Sequence, residues 1–274
     1  MAKQLNHVDL CFAIDTTGSM GSFIQAAKQQ LLDVLSLLSA DNNIDLQIGL
    51  VEYRDHPPQD NSFVTRVYPL TSNRKQMQKS INKLQPHGGG DAAEAVYSGV
   101  YDACVKMKWR SHSCRFVLLV GDAPPHGFAR WLEEMTEEKN SRNRNSDGWP
   151  DGCPSGLDVQ SVAGAAEEAR VVVHSLCMRS DNLTVKSFTA IANGTGGQSA
   201  LANNAKDVIS KMVSMLSSEF QNLAFDRQVL ATVEQFGNLD IALTAETLNC
   251  PRLQVASAID RLGKRGFLAK LVKR

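Results

Sequence analysis

Residues 10–20 read Leu-Cys-Phe-Ala-Ile-Asp-Thr-Thr-Gly-Ser-Met, an apolar run that stops abruptly at oxygen-bearing side chains. The apolar part is typical of a buried strand, and the Gly-containing turn after it sets Asp15, Thr17 and Ser19 at alternate positions. Oxygen ligands that converge at the carboxyl end of a buried strand suit a hard divalent cation such as Mg²⁺. Thr17 or Ser19 could instead cap the helix that follows, but a cap needs one oxygen and this turn supplies three. We therefore expect a metal-binding loop.

The composition indicates a globular chain with a full hydrophobic core. The 274 residues are 43% hydrophobic and 21% charged, and Lys+Arg and Asp+Glu both number 29. Because the charges balance, the overall charge argues against a nucleic-acid or membrane partner. The length allows one large α/β domain, or one domain with a small appendage.

The cysteines and the amino terminus indicate an intracellular protein. The six cysteines are scattered without a CxxC pair, which is typical of a reducing compartment and predicts no zinc site. The first seven residues contain no apolar signal-peptide core, and no stretch approaches the roughly 18 apolar residues of a membrane span. We expect a cytoplasmic location and no membrane partner.

Strand and helix patterns alternate along most of the chain. This alternation predicts an α/β fold, with a doubly wound, mostly parallel sheet covered by helices on both faces, as in Rossmann-like proteins. Residues 136–157 interrupt this alternation, and their polar, Gly- and Pro-containing sequence predicts a long functional or mobile loop. The predicted strands are 8–14, 46–53, 63–70, 115–120 and 171–176, and the predicted helices are 22–40, 74–84, 92–107, 156–170, 185–194 and 207–220.

Three loops of this fold carry oxygen ligands at the carboxyl ends of strands, where doubly wound sheets bind their ligands. The first loop carries Asp15, Thr17 and Ser19. A glycine-rich second loop ends in Asp91, and the third places Asp122 directly after an apolar strand. If those strands are neighbours in the sheet, all five side chains reach one ion.

The motif Asp15-Thr-Thr17-Gly-Ser19, together with Asp122 on the third loop, resembles the metal-ion-dependent adhesion site of the von Willebrand factor A (vWA) family. The resemblance covers roughly residues 5–220. It implies the doubly wound fold and an ion that accepts an acidic side chain from a partner protein. The ion would be Mg²⁺, with Mn²⁺ as the alternative.

The second loop departs from the family pattern. The family's threonine falls near Gly90, which has no side chain. Either Asp91 beside it substitutes as a ligand, or a water fills the gap. The alternative for Asp91 is to cap a helix from Ala92 onward. The family's ion is held mainly by hydroxyls and water, so a directly bound Asp91 would reduce its attraction for a partner carboxylate. Glu94 is expected to be a first-turn helix carboxylate that complements the helix dipole.

Other polar side chains near these loops could have more than one role. His126 is expected to form hydrogen bonds at the surface rather than to bind Mg²⁺, which prefers oxygen ligands. Glu52, Arg54 and Asp55 follow a predicted strand, and they either rim the same face or belong to a solvated turn.

The composition changes after about residue 222, which predicts a vWA-like domain over 1–222 and a small, mainly α domain over 223–274. Predicted helices at 226–236, 243–248 and 252–264, followed by a strand or wing from residue 266, resemble a winged helix-turn-helix. The segment from residue 224 has eight basic and five acidic residues, a pattern that suits either DNA or a solvated protein-binding face. The residues expected on the exposed side of its recognition helix are Arg252, Gln254, Ser257 and Arg261.

Three function classes follow from these patterns. The first is a non-enzymatic adaptor that binds an acidic partner group through a divalent cation, while its winged helix tethers the complex to DNA or to a second protein. The second is a DNA-binding transcriptional regulator with a vWA sensor domain. The third, a metal-dependent hydrolase, lacks a recognisable nucleophile–base pair and a second set of metal ligands in the sequence.

Overall fold

The computed structural model describes residues 5–41, 44–136 and 146–268, and a six-stranded sheet organises them. The strands are β1 (His7–Asp15), β2 (Asp45–Tyr53), β3 (Thr65–Thr71), β4 (Cys114–Gly121), β5 (Val171–Cys177) and β6 (Ser199–Leu201). Their order across the sheet is β3-β2-β1-β4-β5-β6, with β3 antiparallel to β2 and every other pair parallel. The predicted doubly wound, mostly parallel α/β fold is confirmed.

Helices connect the strands and cover both faces of the sheet. Within the described ranges they are α1 (Gly21–Asp41), α2 (Arg74–Lys83), α3 (Val96–Lys106), α4 (Phe128–Thr136), α5 (Val159–Ala169), α6 (Asn182–Gly194), α7 (Ala205–Phe236), α8 (Ile241–Thr247) and α9 (Arg252–Lys264). None of the helices in the described part of the chain is long and apolar enough to cross a membrane.

The central strand β1 supplies both layers of the core, because successive side chains of a strand point to opposite faces. Leu10, Phe12 and Ile14 pack in the cluster that includes α1, α2 and α7, whereas Cys11 and Ala13 face the cluster that includes α3, α5 and α6. Full burial of a side chain such as Phe12 contributes roughly 2–3 kcal/mol. A slip of one residue would exchange the two sets, so the pattern fixes the register of β1.

Both edges of the sheet are short or irregular. β6 has three residues, and β3 contains Pro69 beside a register shift in its pairing with β2. The shift lies between the pairs Ile48–Thr71 and Leu50–Tyr68, so β3 has one more residue than β2 at this point. Proline cannot donate a ladder hydrogen bond and is tolerated at such edge bulges.

The third helix begins later than predicted. The sequence pattern favours a helix from residue 92, but α3 begins at Val96. The preceding residues form an extended crossing segment: the amide of Ala92 donates to Ser146 O, that of Glu94 to Pro124 O and that of Ala95 to Arg54 O. Because these amides donate to three different loops, the segment is extended and the helix begins only after it.

Helix α7 is continuous through the predicted domain boundary. It contains no glycine or proline from Ala205 to Phe236, and it ends at Gly237, which has φ +69°. The boundary predicted after residue 222 therefore falls within one helix, and residues before and after it pack in the same hydrophobic cluster. Whether residues 223–274 fold independently stays a prediction.

Buried charges fasten α9 to α7. Asp226 is fully buried on α7 and binds Arg261 (Oδ1–Nη2 2.5 Å) and Arg265 (Oδ2–Nη1 3.1 Å). Arg265 also donates to Glu219 Oε2 at 2.9 Å. The network corrects the prediction for Arg261, because its guanidinium is bound to Asp226 within the fold. Arg252, Gln254 and Ser257 are exposed as predicted.

The predicted helices 243–248 and 252–264 lie near α8 and α9, whereas the predicted helix 226–236 is the end of the continuous α7. The winged-helix resemblance is not confirmed. Val255 and Leu262 are fully buried, as expected for the inner face of α9. The chain turns after α9 up to Leu268. The rest of the predicted wing, residues 269–274, lies outside the described residues, as does part of the predicted 136–157 loop.

Candidate metal centre

The sheet order brings the carboxyl ends of β2, β1 and β4 side by side. In the parallel ladders Asp15 pairs with Tyr53, and Ile14 pairs with Val120. The chain therefore places Asp15 at the end of the central strand, with Asp55 following β2 on one side and Asp122 following β4 on the other. This edge of the sheet concentrates carboxylates, as the sequence predicts.

The first loop folds around the carboxylate of Asp15. The amide and the hydroxyl of Thr17 both donate to Asp15 Oδ1, at 2.7 and 2.6 Å. Residues 18–20 form a single 3₁₀ turn, and Thr17 makes no side-chain capping bond to it. Ser19 Oγ donates to Asp122 Oδ1 at 2.9 Å. The structure thus brings together four of the five predicted ligands, and it does not support the alternative of Thr17 as a helix cap.

Backbone contacts brace the first loop against the second. The amide of Gly18 donates to Gly88 O at 3.2 Å, and that of His87 donates to Thr16 O at 3.0 Å. The buried guanidinium of Arg54 spans the same junction, with Nε 3.3 Å from Thr16 Oγ1 and Nη2 donating to Gln85 O at 2.8 Å. Arg54 is therefore a brace beneath the site, rather than part of its rim or of a solvated turn.

Glu94, rather than a side chain at Gly90, lies beside the first loop. A Cβ on Gly90 would lie 2.4 Å from Gln59 Oε1 and 3.2 Å from Gln59 Cβ, so a side chain at this position would require Gln59 to move. A Cβ on Gly89 would lie 3.0 Å from Glu94 Oε1 and 3.4 Å from Thr17 Cβ, which places the Glu94 carboxylate beside the first loop. The prediction of Glu94 as a helix carboxylate is wrong, because α3 begins two residues after it.

The buried carboxyl groups of Asp15 and Glu94, with Asp122 nearby, would be stabilised by a cation. Burial, with the nearby charge of Asp122, raises the pKa of Asp15 to about 7. Burial and then the charges of Asp15 and other carboxylates raise the pKa of Glu94 to about 10. Asp15 Oδ2 and Glu94 Oε2 are buried without a hydrogen-bond partner. A divalent cation would offset both the repulsion and the lost solvation, so these residues fit a metal ion.

Asp91 lies apart from this group, contrary to the prediction that it joins the same ion. Its Oδ1 accepts from the amide of Ala93 at 3.1 Å, and its Oδ2 accepts a short bond from Gly148. It is not a helix cap either, since α3 begins at Val96. Its carboxylate instead lies with Asp55 and His126, whose potential ligand atoms and its own are all within 4.8 Å of one another.

His126 is buried rather than exposed, and it links two loops. Its Nδ1 is 2.7 Å from Asp147 Oδ1, and its Nε2 is 2.7 Å from Asp55 Oδ1. Burial lowers the pKa of His126, but the bonds to Asp147 and Asp55 outweigh it and raise the pKa to about 9. The expectation of surface hydrogen bonding is wrong, because Asp147 and Asp55 enclose the imidazole on both sides.

The raised pKa of Asp15 gives a pH dependence with a definite sign. Between about pH 4 and about pH 7 the metal-free fold keeps a proton on Asp15 that the unfolded chain releases, so its free energy of unfolding falls as the pH rises. A bound divalent cation would replace that proton. We expect Mg²⁺ to raise Tm little at about pH 5 and clearly at about pH 8. Scanning calorimetry with Mg²⁺ and with chelator measures the difference, and an equal gain at both pH values would contradict it.

The family comparison agrees with this geometry. Residues 9–142 match the family model described as the von Willebrand factor A domain. Two relatives also align. Over 156 residues the chain is 28% identical to the alpha-protein kinase vwkA of Dictyostelium discoideum, covering 57% of this chain and 23% of that protein. Over 213 residues it is 24% identical to the putative ariadne-like RING finger protein R811 of Acanthamoeba polyphaga mimivirus, covering 77% of this chain and 20% of the relative. The chain thus spans less than a quarter of either relative's length.

Solved structures share the fold at low identity. The pilus adhesin SpaC of Lactobacillus rhamnosus GG superimposes with a TM-score of 0.53 at 17% identity, over 78% of this chain and 30% of that one. Proximal thread matrix protein 1 of the mussel byssus, in a structure with a zinc-occupied adhesion motif, gives 0.50 at 13% identity, over 77% and 46%. At these identities the likeness shows the fold alone. Together with the family model over residues 9–142, it supports a vWA-like α/β fold.

Proposed function

We propose that this chain is a protein-interaction module whose divalent cation, held by Asp15, Thr17, Ser19 and Asp122, binds an acidic side chain of a partner protein. The observation that carries the proposal is the one-sided burial of this group. Asp15 and Thr17 are buried, whereas Ser19 is exposed and Asp122 is half-buried. An ion held from beneath by these groups would keep coordination positions open toward solvent.

The donor set favours a hard cation with remaining affinity for carboxylate. Every proposed ligand offers oxygen, and two of the four are neutral hydroxyls, which leaves an ion's charge partly uncompensated. We therefore propose Mg²⁺ as the working ion, with Mn²⁺ as the alternative. When bound, the ion would supply the positive charge that a partner's aspartate or glutamate completes.

We propose further that the module is not an enzyme. Cys153 and His56 resemble a nucleophile–base pair, with Sγ 3.5 Å from Nε2. Burial raises the pKa of the Cys153 thiol and lowers the pKa of the His56 imidazole. Both groups are therefore held in the neutral form, whereas an activated thiolate needs a depressed thiol pKa beside a charged imidazole.

The roles of the C-terminal helices and of location are also proposals. Tethering to DNA or to a second protein stays a prediction, and the pairing of Arg261 with Asp226 leaves DNA binding with less support than protein binding. The DNA-binding regulator and the hydrolase remain as alternatives of lower rank. A cytoplasmic location stays a prediction, and the free state of all six cysteines is compatible with it.

Metal-dependent capture tests the proposed function. Immobilised wild type and Asp15→Asn are incubated with cell extract in Mg²⁺ or in chelator. We expect a set of proteins that only wild type retains, only in Mg²⁺, and that chelator elutes. Substitution of an acidic residue of the captured protein by its amide should abolish retention. The same proteins retained by wild type and Asp15→Asn, or in chelator, would refute the proposal.

A further inference from the structure

A second group of metal-ligating side chains adjoins the site described above. Asp55 follows β2, Asp91 precedes α3, and His126 follows β4, so three loops of the same sheet edge each contribute one residue. Their nearest carboxylate oxygens and imidazole nitrogen all lie within 4.8 Å of one another. Asp55 and His126 are buried, and Asp91 is half-buried. The proposed interaction function does not use these residues.

An unpartnered oxygen shows that the group is incomplete. Asp55 is 0% exposed, and its Oδ2 is buried without a hydrogen-bond partner, although its Oδ1 contacts His126 and the amide of His56. Glu94 Oε2 is also buried without a partner, in a carboxyl whose pKa is raised by burial and by nearby charges that include Asp55 and Asp91. Leaving a carboxyl oxygen buried and unsatisfied costs more than a typical hydrogen bond contributes.

The imidazole of His126 is oriented by a carboxylate behind it. Asp147 contacts Nδ1 at 2.7 Å, and the amides of Gly127 and Trp149 hold that carboxylate at 2.8 Å each. Nδ1 therefore donates outward to Asp147, and Nε2 points at Asp55. A histidine that donates one nitrogen to a carboxylate and presents the other to carboxylate ligands has the usual arrangement of a metal-bound imidazole.

We propose that Asp55, Asp91 and His126 form a second cation site, for a divalent transition metal such as Mn²⁺. One imidazole nitrogen with carboxylate oxygens suits Mn²⁺ or Zn²⁺ better than Mg²⁺, which prefers oxygen alone. Without metal, a proton lies between His126 Nε2 and Asp55 Oδ1. When the ion binds, Nε2 and the carboxylates coordinate it and that proton leaves to solvent, so the site exchanges one proton for one cation.

A second ion would hold the loop from residue 147 onward in place beside the first ion. Asp91 binds the amide of Gly148, and Asp147 binds those of Gly127 and Trp149. An ion on Asp91 and His126 would therefore fix the residues from 147 onward against the loop that carries Glu94. The two ions would differ in ligand chemistry, since His126 supplies nitrogen only to the second.

Nitrogen coordination distinguishes the two sites directly. In Mn²⁺-loaded wild type, pulsed electron paramagnetic resonance is expected to show ¹⁴N modulation from a bound imidazole, and metal analysis about two ions per chain. Asp15→Asn should keep the ¹⁴N signal and lose one ion. His126→Gln should lose the ¹⁴N signal and one ion, and Asp91→Asn should lose one ion.

The control is Asp33→Asn on the exposed face of α1, which should behave as wild type. The absence of ¹⁴N modulation in Mn²⁺-loaded wild type would by itself overturn the proposal. Two ions retained by folded His126→Gln would overturn it as well. Either result leaves the proposed function intact, because that function depends on the ion at Asp15.

Discussion

Substitution of Asp15 by asparagine is expected to weaken Mg²⁺ binding at least about 100-fold while leaving the fold intact. The amide keeps an oxygen to accept the two bonds from Thr17, so the loop can retain its shape. It removes a buried charge that repels Asp122. The metal-free variant should therefore be at least as stable as wild type above about pH 7. Calorimetric titration of Mg²⁺ and thermal unfolding in chelator measure the two effects.

A graded series makes this test specific. Glu94→Gln should weaken Mg²⁺ binding less, by about 10-fold, if its carboxylate acts beside the loop rather than within it. The matched surface variants are Asp33→Asn and Glu134→Gln, whose side chains are 62% and 61% exposed. Both should bind Mg²⁺ as wild type does. An unchanged Mg²⁺ affinity in Asp15→Asn would contradict the proposed metal centre.

Replacement of Asp226 by alanine is expected to destabilise the protein by about 3 kcal/mol. Asp226 is fully buried between Arg261 and Arg265, and its removal leaves Arg265, itself only 5% exposed, with Glu219 alone. Burial nevertheless raises the pKa of Asp226 despite both arginines, so the ionised network contributes little net stability. The cost arises because one partner is removed and a buried charge is left behind. For a chain of this size the change corresponds to a fall in Tm of roughly 6–12 °C.

The comparison variant is Asp260→Ala, which breaks an exposed i,i+4 pair with Lys264 on the same helix. Such a pair contributes at most about 0.5 kcal/mol, so Tm should hardly change. Chemical denaturation monitored by circular dichroism compares the two variants. Equal losses from Asp226→Ala and Asp260→Ala would show that the buried network does not fasten α9 to the rest of the fold.

The parts of the fold that the sequence predicts are those in which pattern and burial agree. β1, β4 and β5 are largely apolar because helices cover both their faces, and such strands are recognisable without context. β6 has three residues, too few to show a period of two. The start of α3 depends on amides that bond to other loops, and α7 continues past residue 222 because no glycine or proline stops it. Tertiary contacts decide where α3 begins, whereas the continuity of α7 follows from the sequence itself.

For the site, local spacing succeeds within the first loop, and strand order extends the prediction to Asp122 on the third loop but not to the second loop. Asp15, Thr17 and Ser19 lie within five residues, and Asp122 follows a strand that pairs with β1, so their meeting follows from strand order. Glu94 lies beside the first loop and Asp91 lies with Asp55 and His126, unlike the prediction for either, because three glycines lead into an extended segment and not a helix. Arg261 was predicted from helical spacing to be exposed, and the spacing carries no information about Asp226 on a neighbouring helix.

The irregular edges of the sheet bear on how this protein meets others. An exposed strand with free amides and carbonyls is a template on which another chain can add a strand, a common route to unwanted polymerisation. Here one edge strand is three residues long, and the other has a proline and a bulge that interrupt its free hydrogen-bonding row. Both sides are thus poorly suited to strand addition. In the proposed function, recognition is left to the ends of the strands, where loading or withdrawing an ion would make the contact reversible.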